Sequence, residues 1–324
     1  MRDRRQSWAR AAVGLTWSVF VLLAGTASLE ADHNRLLQLE FRRAISRHVA
    51  CDSQGHCYLV VPASVGGEGF TLKVSQKPHP ESISDFPVTV PLPTLQGRPG
   101  ASFFSAGLAI DPQDRLHVIY TTEQGLTAYS VVKTQPLRSG KADQQWLNPV
   151  SGQTGGLVLA KTKSWAGDIC RSPDGQVWLT WTTGGGNDSE VTVHLGTLRD
   201  GAWQSFELGQ GKGLYPPAML FSRDGAFVHV ASGDTRGGTH YVKLKVSTLN
   251  TGTWQFQPSH PGRRPALAET AGEVLAVHES GDSLKYTFLE REQRQSHPLT
   301  DLDSRFVWDT VHSPRMVVDR YRVP

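Results

Sequence analysis

Hydrophobic and polar positions alternate with period two in many short runs along this chain. The clearest runs lie at residues 177–181 and 191–195, where apolar and polar side chains take turns. Turn sequences rich in Asp, Gly and Pro separate them, as at residues 172–175 and 199–201. Alternation of this kind, broken by turn residues, predicts short antiparallel strands.

The turn-then-strand element recurs, and its copies start near residues 52, 111, 172, 222, 269 and 311. A second marker keeps the same phase, because Trp146, Trp203 and Trp254 follow their turns by 31 to 35 residues. We expect each Trp to begin an outer strand. Four strands in about 40 residues is the size of one propeller blade. The pattern predicts an all-β fold, a single β-propeller with six four-stranded blades. Five or seven blades, or a β-sandwich with coincidental Trp placement, are the alternatives.

Residues 1–27 have the layout of a secretory signal. Four arginines come first, and an uncharged run at 11–27 follows, ending in the small residues Gly25, Thr26 and Ala27. This order predicts a signal peptide cleaved after Ala27, and export of the remaining chain to the periplasm, the cell surface or the medium. The alternative is an uncleaved membrane anchor, because the uncharged run is long enough to span a bilayer.

The propeller domain is predicted over residues 34–324. The last copy of the repeat, near residues 314–318, ends before a full blade is complete. Residues 36–45 carry Leu37, Leu39 and Phe41 in alternation, so we expect them to form a strand that completes the final blade and closes the ring. A short amphipathic helix is the alternative for this segment.

Charge excludes one class of partner. The leader carries four Arg and one Asp, so its removal leaves 29 basic and 29 acidic residues from the 33 and 30 of the whole chain. A net charge near zero without blocks of like charge argues against nucleic-acid binding. We expect a monomer.

The three cysteines predict at most one disulfide. Cys51 and Cys57 flank the first turn, where facing strand ends lie within disulfide range, and the alternative is two separate thiols. Cys170 is expected as a buried small hydrophobe.

Neither cysteine nor histidine spacing matches a metal site. Four histidines recur within strands, where we expect packed or exposed side chains rather than ligands: His117, His194, His229 and His240. We therefore predict no metal and no cofactor.

A ligand site is expected on one face of the ring. The innermost strand of each blade should precede the Asp/Gly turn, so the opposite face gathers the loops that join second and third strands. Loops on a rigid scaffold carry function, and aromatic rings edged by carboxylates and arginines suit glycans or anions. The predicted ligand-binding residues are Trp181, Asp188, Asp234, Arg236, Arg264, His278 and Glu279.

The units at residues 111–120, 172–181 and 222–230 resemble the bacterial-neuraminidase repeats of the sialidase-like propellers. The resemblance covers most of residues 48–322 at repeat level. That superfamily includes sialidases, other glycan-active enzymes and noncatalytic repeat proteins. Its Asp-box places Ser, Asp and Gly at alternate positions, whereas Asp and Gly are adjacent here, at 174–175 and 224–225. No motif matches the arginine triad, the Tyr nucleophile with its Glu, or the Asp acid of sialidases.

The sequence contains no Gly-x-Ser-x-Gly motif and no phosphate-binding glycine loop. Phased repeats without a catalytic motif predict an exported propeller that binds a glycan or another extracytoplasmic ligand on its loop-rich face, without catalysis. A glycan-processing hydrolase or lyase is the first alternative, and a protein-interaction scaffold is the second.

Overall fold

The computed structural model describes residues 49–62, 70–80, 83–91, 102–122, 124–139, 146–184, 189–249, 256–270, 273–280, 283–292 and 295–298. Within them the fold is nearly all β, with strands β1 to β20 in five four-stranded antiparallel sheets, here called blades 1 to 5. The predicted leader, the segment at 36–45 and the last repeat copy at 314–318 lie outside the described residues.

Blade 1 consists of β1 (Val49–Cys51), β2 (Cys57–Pro62), β3 (Phe70–Val74) and β4 (Val88–Pro91). Blade 2 consists of β5 (Ser102–Ile110), β6 (Arg115–Thr122), β7 (Thr127–Lys133) and β8 (Leu157–Val158), with helix α1 (Thr134–Arg138) after β7. Blade 3 consists of β9 (Ser164–Arg171), β10 (Val177–Gly184), β11 (Glu190–Arg199) and β12 (Ala202–Lys212). Blade 4 consists of β13 (Ala218–Phe221), β14 (Phe227–Gly233), β15 (Gly238–Lys245) and β16 (Gln257–Pro261). Blade 5 consists of β17 (Arg263–Thr270), β18 (Glu273–Ser280), β19 (Ser283–Phe288) and β20 (His297–Pro298). Short 3₁₀ helices lie at Ile83–Asp85 and Val246–Thr248.

Every blade is a meander in which each strand pairs with the next one along the chain. The first strands form one edge of each sheet, and β1, β5, β9, β13 and β17 contact one another in succession. The prediction that the innermost strand precedes the turn is therefore confirmed. Five small sheets placed side by side in this way are typical of a propeller, and the two-sheet sandwich alternative is wrong.

The hydrophobic core lies between neighbouring blades, and in blade 2 both faces of the central strand β6 are covered. Along β6, Val118 and Tyr120 point toward blade 1, while Ile119 points toward blade 3 and packs in a cluster with Leu179 and Trp181. Full burial of one such side chain contributes about 1.5–3 kcal/mol. The consecutive apolar residues Val118, Ile119 and Tyr120 thus give this strand two apolar faces.

The first turns of successive blades contact one another on one face of the molecule, which we call the turn face. Ser53 donates from its backbone N–H (2.9 Å) and its Oγ (2.5 Å) to the Asp114 carboxylate of the next turn. Farther along, the Arg223 N–H donates to Glu269 Oε2 at 3.0 Å. Gly175 has φ +92° and lies against Pro112, so a side chain there would clash with the neighbouring turn.

The tryptophan marker is confirmed only in part. Trp203 lies at the start of the outer strand β12. The prediction is wrong for Trp146, which precedes an isolated bridge at Leu147. The outer strand of blade 2 is β8 instead. Trp254 lies outside the described residues.

Cys51 and Cys57 are opposite each other in the β1–β2 pair and are joined by a disulfide. Cys170 is free and buried, as expected. In the part of the chain that the structure describes, no helix is long and apolar enough to cross a membrane.

Candidate functional site

Three of the predicted ligand residues are buried: Trp181, Asp234 and His278. Trp181 is 2% exposed, and its ring stacks on His194 (centroids 5.2 Å apart) and tilts against Trp203. His278 is fully buried, and its Nε2 lies 2.9 Å from Thr287 Oγ1. A ligand would have to displace these packed neighbours to reach either ring.

Asp234 is 8% exposed, and it is part of a turn. Its Oδ1 accepts the backbone N–H groups of Arg236 and Gly238, each at 2.8 Å, and its Oδ2 lies 2.9 Å from His240 Nε2. Burial raises the pKa of Asp234, but these donors outweigh it and hold the pKa below its usual value. The carboxylate therefore fixes the β14–β15 turn.

The other predicted residues differ in how much of them the structure describes. Arg236 is exposed. Arg264 lies in β17 and Glu279 in β18, with Glu279 opposite Arg263 in the register, while the side chains of Arg264 and Glu279 lie outside what is described. Asp188 lies outside the described residues. The structure thus does not gather this set into one site, and ligand binding by these residues stays a prediction.

A cleft opens on the turn face between blades 4 and 5, and we call it the blade 4–5 cleft. Its volume is about 390 Å³. It is lined by Ser222, Arg223, Asp224, Phe227, His229, Lys243, Glu269, Val274 and Glu290. Two cations, three carboxylates and an aromatic ring thus line one depression.

A hydrogen-bonded chain runs into this cleft from the core. Tyr241 donates its hydroxyl to Glu290 Oε1 at 3.1 Å, and His229 Nδ1 lies 2.7 Å from the same hydroxyl. Because that hydroxyl has a single proton, His229 must donate from Nδ1 to the tyrosine oxygen. Lys243 Nζ contacts Glu290 Oε1 at 2.7 Å and lies 4.5 Å from the centre of the Phe227 ring.

The protonation states of these hydrogen-bonded groups follow from burial and pairing. Burial lowers the pKa of His229 to about 4, so its imidazole is neutral at pH 7. Burial and the nearby Glu290 charge raise the pKa of Tyr241. Burial alone would raise the pKa of Glu290, but the hydrogen bonds from Lys243 and Tyr241 bring it below its usual value. The cleft is therefore lined by the Glu290 carboxylate, the Lys243 ammonium and the neutral His229 imidazole. The buried Tyr241 phenol contacts Glu290.

Blade 2 contains an equivalent His–Tyr pair, whose carboxylate partner lies in the same blade. His117 Nδ1 lies 2.6 Å from the Tyr129 hydroxyl, twelve residues later in the chain, as with His229 and Tyr241. Here the carboxylate comes from Asp111 of the same blade, 3.0 Å from His117 Nε2. In blade 4 the carboxylate comes from the next blade instead, and the pair faces a cleft.

Sequence reasoning missed the blade 4–5 cleft. The strand histidines were expected to be packed or exposed strand residues rather than ligands, and His117 and His229 are 4% and 2% exposed. The signal available was the shared spacing of twelve residues between histidine and tyrosine in two repeats. Among the described residues, no group of three or more His, Cys, Asp or Glu could hold a metal.

No protein-family model matches the chain, and a search of curated proteins finds no match. Several solved structures are similar to it. A Trypanosoma rangeli sialidase aligns at 12% identity and TM-score 0.44, over 75% of this chain and 46% of that one. The periplasmic gluconolactonase of Pseudomonas aeruginosa aligns at 14% and 0.45, over 82% and 86%. A fucose-specific lectin from Aleuria aurantia aligns at 11% and 0.41, over 85% and 78%. The chain thus spans under half of the sialidase, and its weak structural resemblance is to sialidases and other propeller-like proteins.

Proposed function

We propose that this protein is an exported propeller that binds one sugar residue of a glycan in the blade 4–5 cleft and does not turn it over. One observation supports the proposal: Glu290, which is hydrogen-bonded to Tyr241 and Lys243, lines a cleft. In the equivalent pair of blade 2, the carboxylate is Asp111 of the same blade.

The size and chemistry of the cleft support a sugar. A volume of about 390 Å³ lies within the range of small-molecule sites. Carboxylates of Glu290 and Glu269 accept from sugar hydroxyls, and the Lys243 ammonium donates to them. Phe227 and Val274 supply apolar surface against which the C–H face of a pyranose packs.

The protonation states favour binding over hydrolysis. Glycoside hydrolysis needs a carboxylic acid whose pKa is raised toward neutral pH, beside a second carboxylate. The pKa of Glu290 is lowered, as described above, and hydrogen bonds from Ser222 Oγ and the Ala226 N–H lower the pKa of Asp224. Both carboxylates are therefore ionised at neutral pH, which suits recognition of hydroxyl groups.

Export and a sixth blade belong to the same proposal. The arginine-led apolar leader and the Cys51–Cys57 disulfide both suit an oxidising compartment outside the cytoplasm. Leu59 on blade 1 and Leu275 on blade 5 are 1% and 0% exposed, on sheet faces that no described blade covers. We propose that residues 36–45 and 314–318 supply the covering sheet and close a six-bladed, monomeric ring.

The test is binding of a panel of methyl hexopyranosides, measured by saturation-transfer NMR and then by calorimetry. Lys243→Gln removes the ammonium charge beside Glu290, and Glu269→Gln removes a cleft carboxylate. We expect each change to weaken the best glycoside at least tenfold, the equivalent of about 1.4 kcal/mol. Lys212→Gln is the matched control, because Lys212 is exposed on β12 of blade 3 and does not line the cleft.

The proposal is wrong if no glycoside binds, or if binding is equal in Lys243→Gln and in Lys212→Gln. Release of nitrophenol from a matching panel of nitrophenyl glycosides would overturn the absence of turnover. Retained thermal unfolding cooperativity in each variant shows that the change acts on the site and not on the fold.

A further inference from the structure

A second cavity lies at the turn-face end of the innermost strands of blades 1, 2 and 3, and we call it the axial mouth. Its volume is about 380 Å³. The walls come from the ends of β1, β5 and β9, including Ala50, Ala109, Ile110 and Cys170. Of the described residues that line it, Arg171 alone carries a formal charge.

The acidic groups of the adjacent turns already have donors of their own. Asp52 accepts from Arg138 at 2.6 Å, and Asp111 accepts from Arg115 at 2.6 Å. Asp174 accepts from the Ser172 hydroxyl. By contrast, Arg171 is exposed, and no ion pair to it is found in the described part of the chain. The positive charge at the axial mouth is therefore uncompensated by these carboxylates.

Main-chain groups add further donors. The strands β1, β5 and β9 each stand at the edge of a sheet. Along such an edge, alternate N–H and C=O groups point away from the sheet and make no ladder hydrogen bond. A guanidinium beside exposed N–H groups is the arrangement that proteins use to hold carboxylate, sulfate or phosphate.

We infer that the axial mouth is a binding site for a small organic oxyanion, held by Arg171 and by edge N–H groups of the innermost strands. A hexuronic acid is of suitable size for about 380 Å³, and its carboxylate takes two parallel hydrogen bonds from the guanidinium. The ends of β1, β5 and β9 form the wall around the rest of the ligand.

The experiment is calorimetric titration with glucuronate, and with glucose as the neutral comparator, in a low-salt buffer free of other oxyanions. It uses the full chain carrying Lys243→Gln, so that binding in the blade 4–5 cleft is weakened. We expect glucuronate to bind at least tenfold more tightly than glucose. Arg171→Gln should remove that preference, and Arg171→Lys should restore only part of it, because an ammonium lacks the two-pronged geometry.

Two further variants locate the site. Ala50→Leu enlarges a side chain that lines the mouth and leaves Arg171 in place, so it should weaken glucuronate binding at least fivefold. Arg199→Gln is the matched control, since Arg199 is exposed at the end of β11 and does not line the mouth. The inference fails if glucuronate binds no better than glucose, or if Arg171→Gln binds it as well as Arg199→Gln does. If Ala50→Leu does not fold, the Arg171 comparison decides alone. Failure here leaves the glycoside result at the blade 4–5 cleft unaffected.

Discussion

Acid should destabilise this fold through His229, and the size of the effect follows from its burial. The ring is 2% exposed, and burial lowers its pKa from 6.5 to about 4. Between these two values the unfolded chain binds a proton that the folded chain does not, so stability rises with pH across the window. The stability is fully present above about pH 6.5 and is lost as the pH falls toward 4. The difference corresponds to roughly 3 kcal/mol, at about 1.4 kcal/mol for each pH unit.

The perturbation is His229→Asn, which places an amide donor near the Tyr241 hydroxyl but does not titrate. We expect the free energy of unfolding to fall by about 3 kcal/mol less between pH 7 and pH 4 in this variant than in the parent. Urea unfolding followed by tryptophan fluorescence at the two pH values measures this difference. Acidic effects at groups that do not contact His229, such as His194, are common to both proteins and cancel.

The control is His79→Asn, because His79 is exposed and does not line the blade 4–5 cleft. It should lose as much stability as the parent on acidification. If His229→Asn also behaves like the parent, to within about 0.5 kcal/mol, burial of the neutral imidazole is not what makes the fold acid-sensitive.

Three further changes test the packing around the two faces. Gly262 has φ +119°, and a Cβ there would lie 2.0 Å from His278 Nδ1, so Gly262→Ala should cost at least 2 kcal/mol in urea unfolding. An unchanged midpoint would contradict that placement. Replacing Cys51 and Cys57 together by serine opens a loop of sequence separation 6, and chain entropy predicts a loss of about 2 kcal/mol in the same assay. Equal stability with and without reductant in the parent protein would show that the bond does not form. Asp111→Asn removes a buried charge that accepts hydrogen bonds within its turn and blade, and it should cost about 2–3 kcal/mol. A loss below about 0.5 kcal/mol would mean that the turn does not depend on the charge.

The repeat of turn and strand could be predicted from the sequence because it depends on local chemistry. Asp and Pro at positions 111–114, and Asp and Gly at positions 222–225, favour tight turns, and apolar residues at consecutive positions of a strand give it two apolar faces. The weak copy at 269–278 was recognised on the same grounds, and it forms the β17–β18 pair. The neighbouring Cys51 and Cys57 met across a turn for the same local reason.

The sites depended on contacts between blades, which local pattern does not encode. The indole ring of Trp181 is of the kind that stacks on ligands, but its neighbours His194 and Trp203 cover the ring. Glu290 joins Tyr241 across a sequence distance of 49 residues, and nothing near either residue signals the pairing. The sequence determined the strands, the turns and the inner position of each first strand, because these follow from short-range preferences. Which side chains are buried and which line a cleft was decided by the packing of one blade on the next.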